Sequence, residues 1–165
     1  MIRPARPDEY PTLQDIERRA GERFREIGMP DIADHDPYTD DELAHAEVVL
    51  VATDEADAPL GYAVVTLVDG HAHLEGLAVL PKEGRQGIGT RLLDAVAEWS
   101  QRRGDDQLTL TTFRDVPFNA PLYARRGFTV VPEDDRTPAV RALVAREAGY
   151  GLDPATRVVM RRQVQ

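Results

Sequence analysis

The sequence contains no cysteine. That removes disulfides, thiolate metal sites and any cysteine nucleophile, and it fits a reducing compartment. Serine, asparagine and lysine each occur once, as Ser100, Asn119 and Lys82. Ser100 sits in a helical pattern with no G-x-S-x-G around it, so serine acyl-enzyme chemistry lacks its nucleophile. A Schiff-base or phosphate-loop lysine would have to be Lys82, whose surroundings match neither motif. Long apolar runs are missing too. The longest, such as "YAVVTLV" (62–68), are far too short to span a bilayer. Met1 is followed by Ile-Arg-Pro-Ala-Arg-Pro, without the apolar core of a signal peptide. A cytoplasmic protein with no membrane partner is expected.

Positive charge is also short, and the formal net charge is −9. Nucleic-acid binding needs a basic face, so no nucleic-acid partner is expected. The acid is uneven. Residues 31–57 carry Asp31, Asp34, Asp36, Asp40, Asp41, Glu42, Glu47, Asp54, Glu55 and Asp57, with no Lys or Arg. Such a stretch is either a solubilising surface or a rim that attracts cationic substrates.

What is present reads as one domain over residues 1–165. A short strand is expected at 2–5. Tyr10, Leu13, Ile16, Ala20, Phe24 and Ile27 recur at helical steps. Residues 31–38 read as loop. Thr39 and Glu42 have the spacing of a capping box for a short helix over 40–47. Strands follow at 48–53, 60–68 and 71–80, the last two joined by Asp69-Gly70, a dipeptide suited to a tight hairpin. A helix from Ile88 ends at Arg102-Arg103-Gly104. Then come a strand at 108–113, a short helix over 118–126, a strand at 128–131, a helix over 137–149 and a strand at 156–164. This order predicts an α/β fold, a mixed sheet flanked by helices.

The stretch "PKEGRQGIG" (81–89) opens the helix at Ile88. A Walker loop fails because Thr90 stands where lysine is required. A Rossmann fingerprint fails because the glycine order is reversed, Gly84-x-x-Gly87-x-Gly89, after a hairpin strand. What remains is a glycine-rich nest at a helix start. Its N–H groups and the helix dipole suit a pyrophosphate.

Two segments carry a resemblance. "LAVLPKEGRQGIGTRLL" (77–93) resembles the coenzyme A loop of the GCN5-related N-acetyltransferases, the GNAT family, which reads V-x-P and then [QR]-x-x-G-x-[GA]. Val79, Pro81, Gly87 and Gly89 match. The [QR] slot falls on Gly84, with Arg85 and Gln86 beside it. "FNAPLYARRGF" (118–128) is similar to the family's second segment, in the form N-x-P-L-Y-x-x-x-G-F. The resemblance implies the GNAT fold, a central mixed and mostly antiparallel sheet of about seven strands with about four to five helices. It covers residues 2–131. The segment 132–155 exceeds a minimal member and could lid the site or form a dimer contact, so a homodimer is a possible partner.

The resemblance also implies roles. Acetyl-CoA is the expected donor and coenzyme A the product, with no metal. Leu77, Ala78 and Val79 would meet the pantetheine arm. Arg85, Gln86, Gly87, Ile88, Gly89 and Thr90 would hold the pyrophosphate. Asn119 would touch the cofactor, although its place also suits a helix N-cap. Tyr123 would be the general acid towards the departing thiolate, or else a residue packed on the sheet. Glu75, on one strand face with Leu77 and Val79, would be the base or a substrate-binding carboxylate. Glu22, Phe24 and His35 are candidates for the acceptor side. His71 and His73 form H-x-H on a strand and are expected at the surface or facing substrate, His73 being the acceptor-side candidate. The expected reaction is direct transfer of an acetyl group to a primary amine, on a small and cationic molecule. The alternatives are another acyl donor, a hydroxyl acceptor, a protein N-terminus or lysine, a non-catalytic acyl-CoA sensor and a nucleotide-phosphate binder.

Overall fold

The computed structural model describes residues 1–84 and 86–165. In chain order the elements are β1 (Ile2–Pro4), α1 (Tyr10–Glu26), α2 (Pro30–Ala33), α3 (Asp40–His45), β2 (Val48–Thr53), β3 (Pro59–Val68) and β4 (His71–Val79). They continue with α4 (Ile88–Arg103), β5 (Gln107–Phe113), α5 (Ala120–Ala124), β6 (Thr129–Val130), α6 (Pro138–Gly149) and β7 (Arg157–Gln163). The seven strands form one sheet in the order β1-β2-β3-β4-β5-β7-β6. The β4–β5 pair is parallel, with His73 opposite Thr109 and Leu74 opposite Leu110. The pairs β1–β2, β2–β3, β5–β7 and β6–β7 are antiparallel.

The contacts fall into two compact units, residues 1–65 with 76–96, and residues 66–75 with 97–165. In the first unit the apolar stripe of α1 does what its spacing predicts. Leu13 and Ile16 pack with Leu43, Val49, Val51, Tyr62, Val64 and Ala78. The capping box of α3 is complete: Thr39 Oγ1 accepts from Glu42 N at 3.1 Å and Glu42 Oε1 accepts from Thr39 N at 3.0 Å. The expected loop at 31–38 differs at its start, where Pro30 occupies the first turn of α2, a position that needs no N–H.

In the second unit Asp69 and Gly70 both adopt positive φ, +55° and +75°, as a tight hairpin requires. The segment 132–155 supplies α6, whose Val140 and Val144 pack with Val131 and Val159. Thr137 caps it by accepting from Val140 N at 3.2 Å, and its hydroxyl donates to Asp69 at the hairpin. This segment is therefore a core helix of its unit. The strand expected at 128–131 shrinks to Thr129–Val130. Gly127, at φ +90°, ends α5 and lets Phe128 N donate back to Tyr123 O at 3.1 Å, which ties Phe128 to the helix.

The only serine is accounted for. Ser100 is fully buried on α4 and donates to Asp105 Oδ2 at 2.8 Å. Asp105 Oδ2 also accepts from Ala72 N at 3.3 Å and pairs with Arg103 at 3.2 Å. Ser100 is a structural donor without access to a substrate.

Candidate active site

In the first unit, β4 ends at Val79 and the chain turns through Pro81–Glu83 into the glycine stretch. Ala78 is buried in the α1 core, whereas Leu77 and Val79 are half-buried, so alternation separates the two faces as expected. The Val79 side chain reaches two glycines. A Cβ on Gly61 would lie 3.2 Å from Val79 Cγ2, and one on Gly89 would lie 3.8 Å from it. Val79 therefore seats the first turn of α4 against the end of β4.

Gly87 precedes α4 with φ +77°, and its carbonyl accepts from Arg91 N at 3.0 Å. That backbone conformation is why a glycine stands there. Gly84 and Gly89 need another explanation, because no φ or contact among the described residues demands them. A Cβ on Gly84 would meet only Pro81 O at 3.4 Å, and one on Gly89 would make an ordinary contact. Extra glycines above an open surface at a helix start form a cradle that side chains would fill, and this fits a pyrophosphate. The N–H groups of Ile88, Gly89 and Thr90 belong to the first helical turn, which lacks intrahelical acceptors. Gln86 is exposed, and its backbone N–H donates to Glu83 O at 3.2 Å. Arg85 lies outside the described residues.

In the second unit, Glu75 is exposed on β4. Asn119 stands at the N-cap of α5, its carbonyl accepting from Tyr123 N at 3.0 Å. Its side chain does no capping. Nδ2 turns back to donate to Phe118 O at 3.0 Å. The capping explanation for this sole asparagine thus does not use its amide group.

Tyr123 is 9% exposed, with its ring edge-on to Phe128 at 5.8 Å between centroids. Burial pushes its phenol up to about 12, while the nearby positive charge of Arg157 pulls the other way. The phenol therefore carries its proton at neutral pH. Arg157 stacks over Phe113 at 4.6 Å, donates to Thr111 Oγ1 at 3.1 Å and pairs with Glu147 at 3.5 Å.

The histidine expectation needs correction. His73 is 2% exposed, not a surface residue, and its Nδ1 hydrogen-bonds Thr109 Oγ1 at 2.8 Å. Burial, with Arg146 and Arg157 adding repulsion, holds its pKa down at about 4, so the ring is neutral at pH 7. Thr109, its partner across the parallel pair, is the polar neighbour that makes a buried histidine tolerable. The other acceptor-side candidates lie on α1 and the loop after α2. Glu22 pairs with Arg25 at 3.0 Å on the exposed side of α1, Phe24 is half-buried, and His35 is exposed. Much of the acidic stretch has local work. Asp34 pairs with Arg25, Asp40 accepts from Gln14, Asp54 closes a turn onto Ala56 and Ala58, and Asp57 pairs with Arg3 and Arg6.

Two residues of α1 were missed by sequence reasoning, Gln14 and Glu17, together with the residue they grip, Tyr38. The available signal was Glu17 itself, a carboxylate one turn after Leu13 inside an apolar stripe.

Comparison with known proteins bears on this arrangement. The family model described as "Acetyltransferase (GNAT) family" matches residues 10–128. Among solved structures, a PaiA N-acetyltransferase from Thermoplasma acidophilum in complex with coenzyme A is similar at TM-score 0.71 and 16% identity, covering 99% of this chain and 98% of that one. The ribosomal-protein-S18-alanine N-acetyltransferase of Escherichia coli is similar at TM-score 0.69 and 19% identity, over 100% and 94%. An N-acetylglutamate synthase from Neisseria gonorrhoeae, complexed with coenzyme A and N-acetyl-glutamate, is similar at TM-score 0.74 and 18% identity. That match covers 100% of this chain but 35% of the synthase.

Proposed function

The chain belongs to the acetyltransferase (GNAT) family, and we propose that, as a single domain, it moves an acetyl group from acetyl-CoA to a primary amine in one direct step. The observation that carries this reading is Tyr123. It is a buried phenol that keeps its proton at neutral pH, in the segment that follows Asn119. A module that only senses acyl-CoA has no use for a proton donor.

Acetyl-CoA supplies the activated acetyl thioester. The glycine cradle at Gly87, Ile88, Gly89 and Thr90 holds its pyrophosphate through backbone N–H groups, with Gly84 leaving the surface open. The backbone of Leu77–Val79 holds the pantetheine arm, and an N–H of that stretch polarises the carbonyl. Asn119 adds a side-chain contact. Glu75, exposed on the same strand, takes the proton from the amine nitrogen, directly or through water. The C–N bond forms as the C–S bond breaks, and Tyr123 Oη gives its proton to the departing sulfur. No covalent enzyme intermediate is needed, consistent with a chain that has no cysteine and a buried serine.

The acceptor we favour is a small cationic amine. The support is the net charge of −9 and the exposed acids Asp31, Asp36 and Asp41, a residue of the acidic stretch after its structural pairs are set aside. The test is release of free thiol from acetyl-CoA across a panel of amines, alongside melting with coenzyme A and with ATP. Thiol release that depends on one class of amine is the expected result. Stabilisation by coenzyme A without thiol release for any amine favours the sensor. Stabilisation by ATP alone overturns the reading.

A further inference from the structure

The helix α6 packs on the sheet through valines and then carries a charge onto it. Val140 and Val144 pack with Val131 and Val159. Glu147 follows Val144 by three positions and extends the same helix face. It meets Thr111, whose hydroxyl donates to Glu147 Oε2 at 2.7 Å, and Arg157, paired at 3.5 Å. Arg157 stands opposite Phe113 and Val159 opposite Thr111, so these four share one face of the sheet. The Arg157 guanidinium also donates to Thr111 Oγ1 at 3.1 Å and stacks over Phe113 at 4.6 Å. It is held from three sides, and the side chains of Arg157 and Glu147 are 10% and 16% exposed.

A mostly buried ion pair is a poor device for adhesion alone. Apolar side chains of similar volume hold a helix on a sheet as well or better, because charges lose their hydration on burial. Val140 and Val144 already do this for α6. The place of the cation gives it another use. The chain leaves β5 after Phe113 towards α5, and its departure is pinned to the residues just before Arg157. Arg114 N donates to Thr156 O at 2.9 Å, and the Arg114 side chain donates to Ala155 O. Tyr123 follows on α5, in the same compact unit. Burial drives its phenol up, and the Arg157 charge draws it down. The same charge, with Arg146 of α6, bears on His73, which burial keeps neutral. The other charges about Tyr123 are Arg125 and Arg126, exposed after its own helix, and Arg162 of β7, whose Cδ would lie 3.7 Å from a Cβ on Gly127.

So weak a proton donor has a difficulty of its own. Tyr123 sits at about 12 and an ordinary thiol near 8.5, so passing the proton from phenol to thiolate is uphill by roughly three-thousandfold. A fixed cation that bears on the phenol offsets this, since it stabilises the phenolate as it forms. We infer that Arg157 is a positioning residue for the proton step, its guanidinium holding the negative charge left on Tyr123 Oη as the proton passes to the departing sulfur, and that Glu147 of α6 aims it. The O–H bond breaks as the S–H bond forms, and a proton from solvent restores the phenol before the next turnover. The inference rests on the acetyltransferase reading of Tyr123. It gives the segment 132–155 a part in the chemistry.

The experiment labels the full chain with fluorotyrosine, which ionises at lower pH than tyrosine, and follows Tyr123 by fluorine NMR as pH rises. Tyr123→Phe identifies its signal. Transfer rates, coenzyme A affinity and melting are measured beside it on unlabelled protein. Arg157→Met removes the cation and keeps most of the bulk. It is expected to raise the Tyr123 midpoint by about one pH unit and to slow transfer about tenfold, with coenzyme A affinity within about twofold. Glu147→Gln removes the counter-charge and leaves the cation, so the midpoint should fall. Arg157→Lys keeps the charge and should stay near the wild-type midpoint. Arg157→Met and Glu147→Gln break the same ion pair, and a purely structural pair would make them behave alike. Midpoint shifts of opposite sign support the inference. Shifts of the same sign, or none, overturn it. If Arg157→Met does not fold, Glu147→Gln decides alone, and a midpoint that does not fall overturns the inference. Opposite shifts in a chain whose wild type transfers no acetyl group overturn the acetyltransferase reading, and the catalytic role of Arg157 with it.

Discussion

The two compact units solve different problems with different materials. The unit of residues 1–65 and 76–96 presents backbone: a glycine at φ +77°, two further glycines that no contact among the described residues demands, and a helix start. The unit of residues 66–75 and 97–165 presents buried side chains: Tyr123, a phenol that carries its proton, and His73, whose burial keeps its ring neutral. A large anion that must bind in many turnovers is well served by N–H groups, which cannot titrate or rotate away. A proton that must be handed over at one moment needs a group with a proton to give. The contrast suggests that binding and chemistry can be damaged separately.

The largest expected effect breaks chemistry alone. Tyr123→Phe should lower kcat by about 10²- to 10⁴-fold, measured by thiol release, with the affinity for coenzyme A unchanged. The next breaks binding alone. Gly87→Val places a β-branched residue at φ +77°, and should weaken coenzyme A by about tenfold or more in calorimetry. Arg85→Ala should do less, because the cradle is built from backbone.

A third prediction concerns acid. His73 has a folded pKa of about 4 against an ordinary 6.5, so below pH 6.5 the unfolded chain takes up the proton first. Stability that is present above pH 6.5 should be lost as pH falls towards 4, by about 3 kcal/mol in total. Denaturant midpoints across that window should slope for the wild type and flatten for His73→Gln. The smallest effect runs the other way. Burial raises the Glu17 carboxyl, despite the opposing hydrogen bonds from Tyr62 and Tyr38. The folded chain then holds that proton more tightly, so this group's contribution declines as pH rises through the raised value. Glu17→Gln keeps an oxygen that can accept from Tyr38 and Tyr62. It should remove that decline and change stability at neutral pH by under about 1 kcal/mol.

Local chemistry was readable from the sequence where a few neighbouring residues decide it. Thr39 with Glu42, Asp69 with Gly70, and Leu13 with Ile16 each specify a cap, a turn or a buried face on their own. The fold class followed from their order, and two short segments singled out Gly87, Asn119 and Tyr123 as the residues to propose for the site. What was not readable depends on partners far along the chain. His73 looks like one member of an alternating polar pair until Thr109 is placed opposite it. Gly76 looks like a stray strand glycine until Tyr38 is laid over it from a loop thirty-eight positions earlier. Glu17 looks like a misplaced charge until Tyr38 N and Tyr62 Oη point at it. The short strand Thr129–Val130 was overestimated because Gly127 turns Phe128 back towards α5.

The most direct test of the central claim is single-turnover detection of the N-acetylated amine by mass, from acetyl-CoA and the best amine of the panel. It should be run with wild type, Glu75→Gln and Tyr123→Phe, each first checked for coenzyme A binding. The account predicts acetylated amine from the wild type and a large loss of rate in both variants, with binding intact. Both variants forming product at the wild-type rate, or a wild type that binds coenzyme A and acetylates nothing, would contradict it.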